Sequence, residues 1–199
     1  MRRVRGYQST LKGDLVIVGR AILREEGIDA LTLRAVARRA RVSAMAPYRH
    51  FADKQALLAA IAIEGYERIR ALCVKAARKS TPEEKVQSAC RDYFDFAVSD
   101  PAMYRLLFSH YIDQVSDHEE LLAVTDATNA ALRRLMRQLP GVKDANLAAL
   151  ALWSLLHGFA SLYLDQQITP DLEPRATAEA AHSLLEAIVR QWASGTLLR

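Results

Sequence analysis

Apolar side chains recur every three to four positions along most of the chain, so the pattern predicts helices throughout. The first stripe, Leu11, Leu15, Val18 and Ile22, predicts a helix from Leu11 to Glu26 that Gly27 and Ile28 end in the manner of a left-handed cap. Thr32 and Ser43 are each placed to cap a short helix. The first of this pair carries Leu33, Val36, Ala37 and Ala40 on its buried face, and a tight turn leads to the second. Asp53 caps a long helix that begins at Lys54 and runs through Leu57, Leu58, Ile61, Ile69 and Leu72 toward Arg78. Thr81-Pro82-Glu83-Glu84 is a capping box with proline at the first helical position, opening a helix through Val86, Cys90, Tyr93, Phe94 and Ala97. Asp100-Pro101 repeats the device ahead of the short aromatic segment PAMYRLLF. A further helix is predicted from Glu119 to Leu139, stopped by Pro140-Gly141. The last, from about Arg175 to Ser194, sets Ala181, Leu184, Leu185, Ile188 and Trp192 on one stripe.

Between these two, Ala145 to Leu164 carries no charged residue, long enough to raise the question of a membrane span. Asn146, Ser154, His157, Gly158 and Ser161 interrupt it, Asp144 and Asp165 flank it, and neither side is basic. The expectation is a buried helix packed on its own domain and on a partner, not a membrane helix.

Charge changes the picture at one end. The chain has 199 residues and a net charge of +4, and 51% of it is hydrophobic, enough to bury a sizeable core. Residues 1–54 hold 12 Lys and Arg against 5 Asp and Glu, while residues 55–199 hold 15 against 18. The basic footprint therefore lies in the first quarter, where a nucleic-acid partner is indicated. Arg2, Arg3 and Arg5 form a short arm that is either unstructured or reaches a minor groove. No apolar run of the required length follows the basic start, so no cleavable signal is expected and a cytoplasmic address fits.

Arg34, Arg38, Arg39 and Arg41 spread over the outer surface of the first short helix and its turn. After Ser43 come the small or flexible Ala44, Met45 and Ala46, then Tyr48, Arg49 and His50. That order suits a helix pressed into a major groove with phosphates gripped on both sides. The stretch resembles the helix-turn-helix of tetracycline-repressor-like (TetR family) regulators, through Thr32, Val42, Ser43, Tyr48, His50, Phe51 and Lys54, with Gly27 upstream. The resemblance implies phosphate contacts from Thr32, Tyr48, His50 and Lys54 and base contacts from Ala44 and Met45. Arg34, Arg41, Ser43, Ala46 and Arg49 complete the candidate DNA surface. Two departures stand out. Arg41 occupies the turn where glycine is frequent in the family, at a cost of about 1 kcal/mol if the backbone is left-handed. Pro47 requires the reading helix to be short or to start irregularly.

The C-terminal part is similar to a TetR subgroup named for Trp, His and Gly, here Trp153, His157 and Gly158, preceded by Pro101, Tyr104 and Phe108. Together the resemblances imply an all-α protein with a three-helix DNA-binding head, 1–54, and a helical ligand-binding and dimerisation domain, 55–199. Phe94, Met103, Tyr104, Phe108, Trp153 and His157 are the candidate pocket residues, although the same aromatic spacing also describes a plain core, and a lone histidine is more often a satisfied core residue. The implied partners are double-stranded DNA, a second copy held through the last two helices, and a small, mostly apolar effector.

Enzymatic chemistry is not indicated: no nucleophile with a base, glycine-rich phosphate loop or paired carboxylates stand at usable spacing. No cofactor is called for, and the spacing of His110, Asp113, Asp117 and His118 fits no standard metal set. Two other readings stay open: a DNA-architectural protein whose C-terminal domain only dimerises, and a thiol redox sensor using Cys73 and Cys90, whose bland role is that of small hydrophobes.

Overall fold

The computed structural model describes residues 10–113, 115–168 and 178–193. The proposed basic arm at Arg2, Arg3 and Arg5 lies outside them, as do Arg175 and Ser194. Among the described residues the chain forms α1 (Leu11–Glu26), α2 (Leu33–Ala40), α3 (Lys54–Ala77), α4 (Pro82–Ser99), α5 (Pro101–Phe108), α6 (Glu119–Met136), α7 (Ala145–Leu164) and α8 (Ala178–Ala193), with no strand.

The helix starts follow from local chemistry. Side chains of Thr32, Asp53 and Asp100 accept from the backbone N–H groups of Ala35, Ala56 and Met103 at 3.0, 2.9 and 3.3 Å. Thr81 and Glu84 form both halves of the capping box. Gly27 ends α1 at φ 84°, a value that favours glycine, but its ψ of 177° lies outside the left-handed helical basin that the sequence suggests. The predicted end of α6 at Leu139 is corrected to Met136. There the chain tightens, with Gln138 and Leu139 donating to the carbonyls three residues back, Leu135 and Met136.

The 24-residue α3 is the spine. It packs on α1 at its start and on α4, α5 and α6 beyond, while α7 and α8 lie against α4. One apolar core runs unbroken from Leu15, Ile22 and Leu31 through Leu57 and Ile61 to Phe94, Met103, Leu121 and Leu135. Helix α5 crosses α3 at Gly65, where an added Cβ would stand 2.8 Å from the Met103 sulfur. A methyl group there would force the Met103 and Leu107 side chains to shift.

Helix α7 is buried along one face. By length and composition alone it is apolar enough to cross a membrane. Its inner face, Ala149, Leu152, Leu156, Phe159 and Ala160, packs within the chain. Leu147 and Leu150 on the opposite face are 65% and 55% exposed, and Leu162 is exposed too. Among the described residues, only one side of this helix is covered.

Candidate DNA-reading head and internal cavity

In the head, Arg41 closes α2 in the left-handed conformation, φ 57° and ψ 40°. Its N–H bonds back to the Arg38 carbonyl and that of Val42 to the Ala37 carbonyl, at 3.2 and 3.1 Å, the paired closure of a Schellman motif. The turn the family usually gives to glycine is thus made here with an arginine whose side chain is exposed. Arg34 and Arg38 are exposed as well, whereas Arg39 is held by Glu25 and Glu26.

The sequence predicts a helix after Ser43 that Pro47 makes short or irregular at its start; the structure has a turn at 44–46 followed by one 3-10 turn, Pro47–Arg49. Pro47 explains the change. In an α-helix its N–H would bond to Ser43, but proline has none, and the Ser43 carbonyl instead accepts from Ala46 at 2.9 Å. Ser43, Ala44, Met45, Tyr48, Arg49 and His50 face solvent, Met45 at 63% exposure. Ala46 is corrected: it is buried with Pro47, because the tight turn rolls these two residues onto the core, and it has no surface to offer DNA. Thr32 is exposed while its hydroxyl serves as the cap of α2. Lys54 is half-buried and donates to the Ile28 carbonyl at 2.8 Å, closing the loop after α1. Lysine has three donors, so this bond leaves two for another acceptor.

Farther along, a cavity of about 100 Å³ opens among the helices of the body. Tyr66, Ile69, Leu72 and Cys73 of α3 form one wall; Ala89 and Tyr93 of α4, Phe108 of α5, and Trp153 and Leu156 of α7 form others. Thr125, Thr128, Asn129 and Leu132 of α6 complete it. Two of the six pocket candidates, Phe108 and Trp153, stand in this wall. Phe94 and Met103 do not line this cavity: both are fully buried elsewhere. Phe94 packs its ring 5.0 Å from those of Tyr163 and His182, and Met103 lies over Gly65. On α4 the row i, i+4 that faces the cavity is Ala89 and Tyr93, and Phe94 is rotated about 100° away from it.

Tyr104 and His157 are likewise absent from the cavity lining and stand behind the wall. The Tyr104 hydroxyl lies 2.7 Å from His157 Nδ1, 3.1 Å from the His157 carbonyl and 3.0 Å from Ser161 Oγ. Their rings stack, and each also packs against Phe108. Burial holds the His157 pKa below the ordinary histidine value. His157 is half-buried, and its contacts with Tyr104 and Phe108 brace the wall from behind.

Both cysteines are free and buried. Burial pushes the Cys73 thiol up to about 11 and the Cys90 thiol up to about 12, so neither supplies the thiolate that disulfide chemistry needs at neutral pH. This weighs against the redox-sensor reading. Among the described residues no group of three His, Cys, Asp or Glu could hold a metal ion.

Residues 16–61 match the family described as bacterial regulatory proteins, tetR family, and residues 86–188 match the tetracyclin repressor-like C-terminal domain. The second description does not separate out a Trp-His-Gly subgroup. The HTH-type transcriptional activator FasR of Mycolicibacterium smegmatis is 25% identical over 176 residues, 85% of this chain and 80% of that one. Among solved structures, PfmR of Thermus thermophilus, a TetR family regulator, aligns with a TM-score of 0.64 at 19% identity, covering 91% of this chain and 96% of that one. FadR of Bacillus subtilis, solved with stearoyl-CoA, aligns with a TM-score of 0.65 at 14% identity, covering 87% and 97%.

Proposed function

Because the chain belongs to the TetR family and is a DNA-binding transcriptional regulator, we propose that it acts as a homodimeric repressor on a palindromic operator, released when a small, mostly apolar effector enters its cavity. The observation that carries this reading is the course of α3. Its first residue, Lys54, is bonded into the head, and three turns later Tyr66, Ile69, Leu72 and Cys73 wall the cavity. A ligand that shifts this wall moves the element that carries the head. Helix α6 makes a second link, since Glu120 in its first turn pairs with Lys12 of α1 at 3.8 Å, and Thr125 to Leu132 line the cavity.

Residues 1–54 are the reading head in this proposal and 55–199 the effector and dimer domain. Thr32, Tyr48, His50 and Lys54 grip phosphates; Ala44 and Met45 meet bases; Arg34, Arg41, Ser43 and Arg49 flank them. The exposed leucines of α7, together with α8, supply the dimer contact. Two heads about 34 to 36 Å apart would then meet successive major grooves. That FadR, a transcriptional regulator of similar fold, was solved in complex with stearoyl-CoA supports a ligand-responsive reading. The protein works in the cytoplasm, where its DNA is, and has no catalytic role.

The test is a selection of operators from random duplexes, followed by gel shifts with and without compounds that stabilise the protein in a thermal-shift screen. Expected are a preferred palindrome, a dimer by light scattering, and weaker operator binding with the hits. Stabilising hits that leave DNA affinity unchanged would reduce the C-terminal domain to a dimerisation module. A promoter reporter decides the sign: expression rises on deletion if the protein represses, and falls if it activates as FasR does.

A further inference from the structure

Among the described residues, the cavity wall carries no Asp, Glu, Lys, Arg or His. Its polar groups are few, and those already engaged are identifiable. Tyr66 donates to the Leu107 carbonyl at 3.1 Å, Thr125 to the Leu121 carbonyl at 2.8 Å, and Thr128 to those of Tyr66 and Val124 at 3.1 and 2.8 Å. Asn129 is exposed, at the rim. The Tyr93 hydroxyl differs from these: it is buried and, among the described residues, has no hydrogen-bond partner. Tyr104 and Trp153 are polar neighbours, yet neither stands in hydrogen-bond geometry to it.

A buried hydroxyl without a partner has lost its hydrogen bonds to water, and a ligand carrying one hydrogen-bonding group restores that bond on binding. A charged ligand would find no countercharge in the wall and would lose its hydration. The room is small: an apolar cavity of about 150 Å³ takes one benzene, and this one has about 100 Å³.

Resting on the effector reading above, we infer that the ligand of this cavity is a small uncharged compound of one ring or a short chain, bearing a single hydrogen-bonding group that pairs with the Tyr93 hydroxyl. A long acyl chain on a phosphate-bearing carrier, the ligand in the FadR structure, does not suit a site of this size and neutrality. Burial raises the Tyr93 pKa above its ordinary value, so the hydroxyl stays protonated and is free to donate or accept.

Trp153 in the wall reports occupancy, and Trp192→Phe removes the other tryptophan from the signal. In that background, without DNA, phenol, benzoate, toluene and stearoyl-CoA are titrated against tryptophan emission. Phenol is expected to give a saturable change and benzoate none. Tyr93→Phe should weaken phenol about tenfold and leave toluene within about twofold. Ala89→Leu, which fills the wall next to Tyr93, should abolish both, with the melting temperature showing that each variant is folded. No saturable phenol signal, benzoate binding as well as phenol, equal loss of phenol and toluene in Tyr93→Phe, or phenol binding that survives Ala89→Leu would each overturn the inference. Stearoyl-CoA releasing the operator while phenol does not would overturn it and leave the effector reading standing. Phenol bound as expected without any change in operator affinity would support the inference and sink the regulatory reading instead.

Discussion

At the scale of single residues, Arg41 and His157 each hold a position at a cost. Arg41 adopts the left-handed backbone that glycine occupies freely, so Arg41→Gly is expected to stabilise the protein by about 1 kcal/mol. If the exposed guanidinium meets a phosphate, the same change weakens operator binding and lowers the slope of log affinity against log salt by about one unit. Thermal melts and gel shifts over a salt series check the two halves separately. For His157, burial lowers the folded-state pKa, so the unfolded chain takes up its proton at higher pH than the folded one. Stability from this group is therefore full above the unfolded value of about 6.5 and is lost as pH falls through the folded value. Melts from about pH 7 to about pH 5 should drop more steeply for the natural protein than for His157→Gln, which cannot charge.

At the scale of elements, α7 and the α3–α5 crossing make opposite demands. The outer face of α7 leaves Leu147 and Leu150 in water, an apolar surface that a second copy would cover. Leu150→Glu is expected to leave the monomer folded, since the side chain touches solvent, yet to shift light scattering from dimer to monomer and remove operator preference. A dimer of unchanged mass in that variant would place the interface elsewhere. The α3–α5 crossing has no such latitude. Gly65→Ala puts a methyl group against Met103 and Leu107 and should lower stability by about 1 to 3 kcal/mol, read from denaturant midpoints.

At the scale of the whole molecule, the head and the cavity share α3, and the Arg20–Glu64 pair at 3.0 Å braces α1 against it. Coupling through shared elements is reciprocal: if a ligand weakens operator binding by some factor, operator DNA must weaken ligand binding by the same factor, typically about 5 to 150-fold. Titrating ligand with and without a saturating operator, followed at Trp153, measures that factor in the reverse direction. Unequal factors would mean that the ligand acts on something other than the DNA-binding equilibrium.

Much of the fold could be read from sequence because its signals are local. A cap joins a side chain to a backbone group about three residues on, as at Thr32, Asp53, Thr81 and Asp100, and a buried stripe repeats every turn; both survive in the one-dimensional string. The position of Pro47 likewise announced that the reading helix would be irregular. What tertiary structure alone decided depends on groups far apart in the chain. Ala46 faces inward because the 3-10 turn rolls it onto the core. Lys54 meets a carbonyl 26 residues away. Tyr93 rather than Phe94 faces the cavity because α3, α6 and α7 leave a gap on that side of α4. The apolar run from Ala145 to Leu164 shows that a helix must be covered, but composition does not say by what; the described residues cover one face and leave Leu147 and Leu150 exposed. Periodicity ranks residues by face, and only the packing of distant helices determines which face meets core, cavity or solvent.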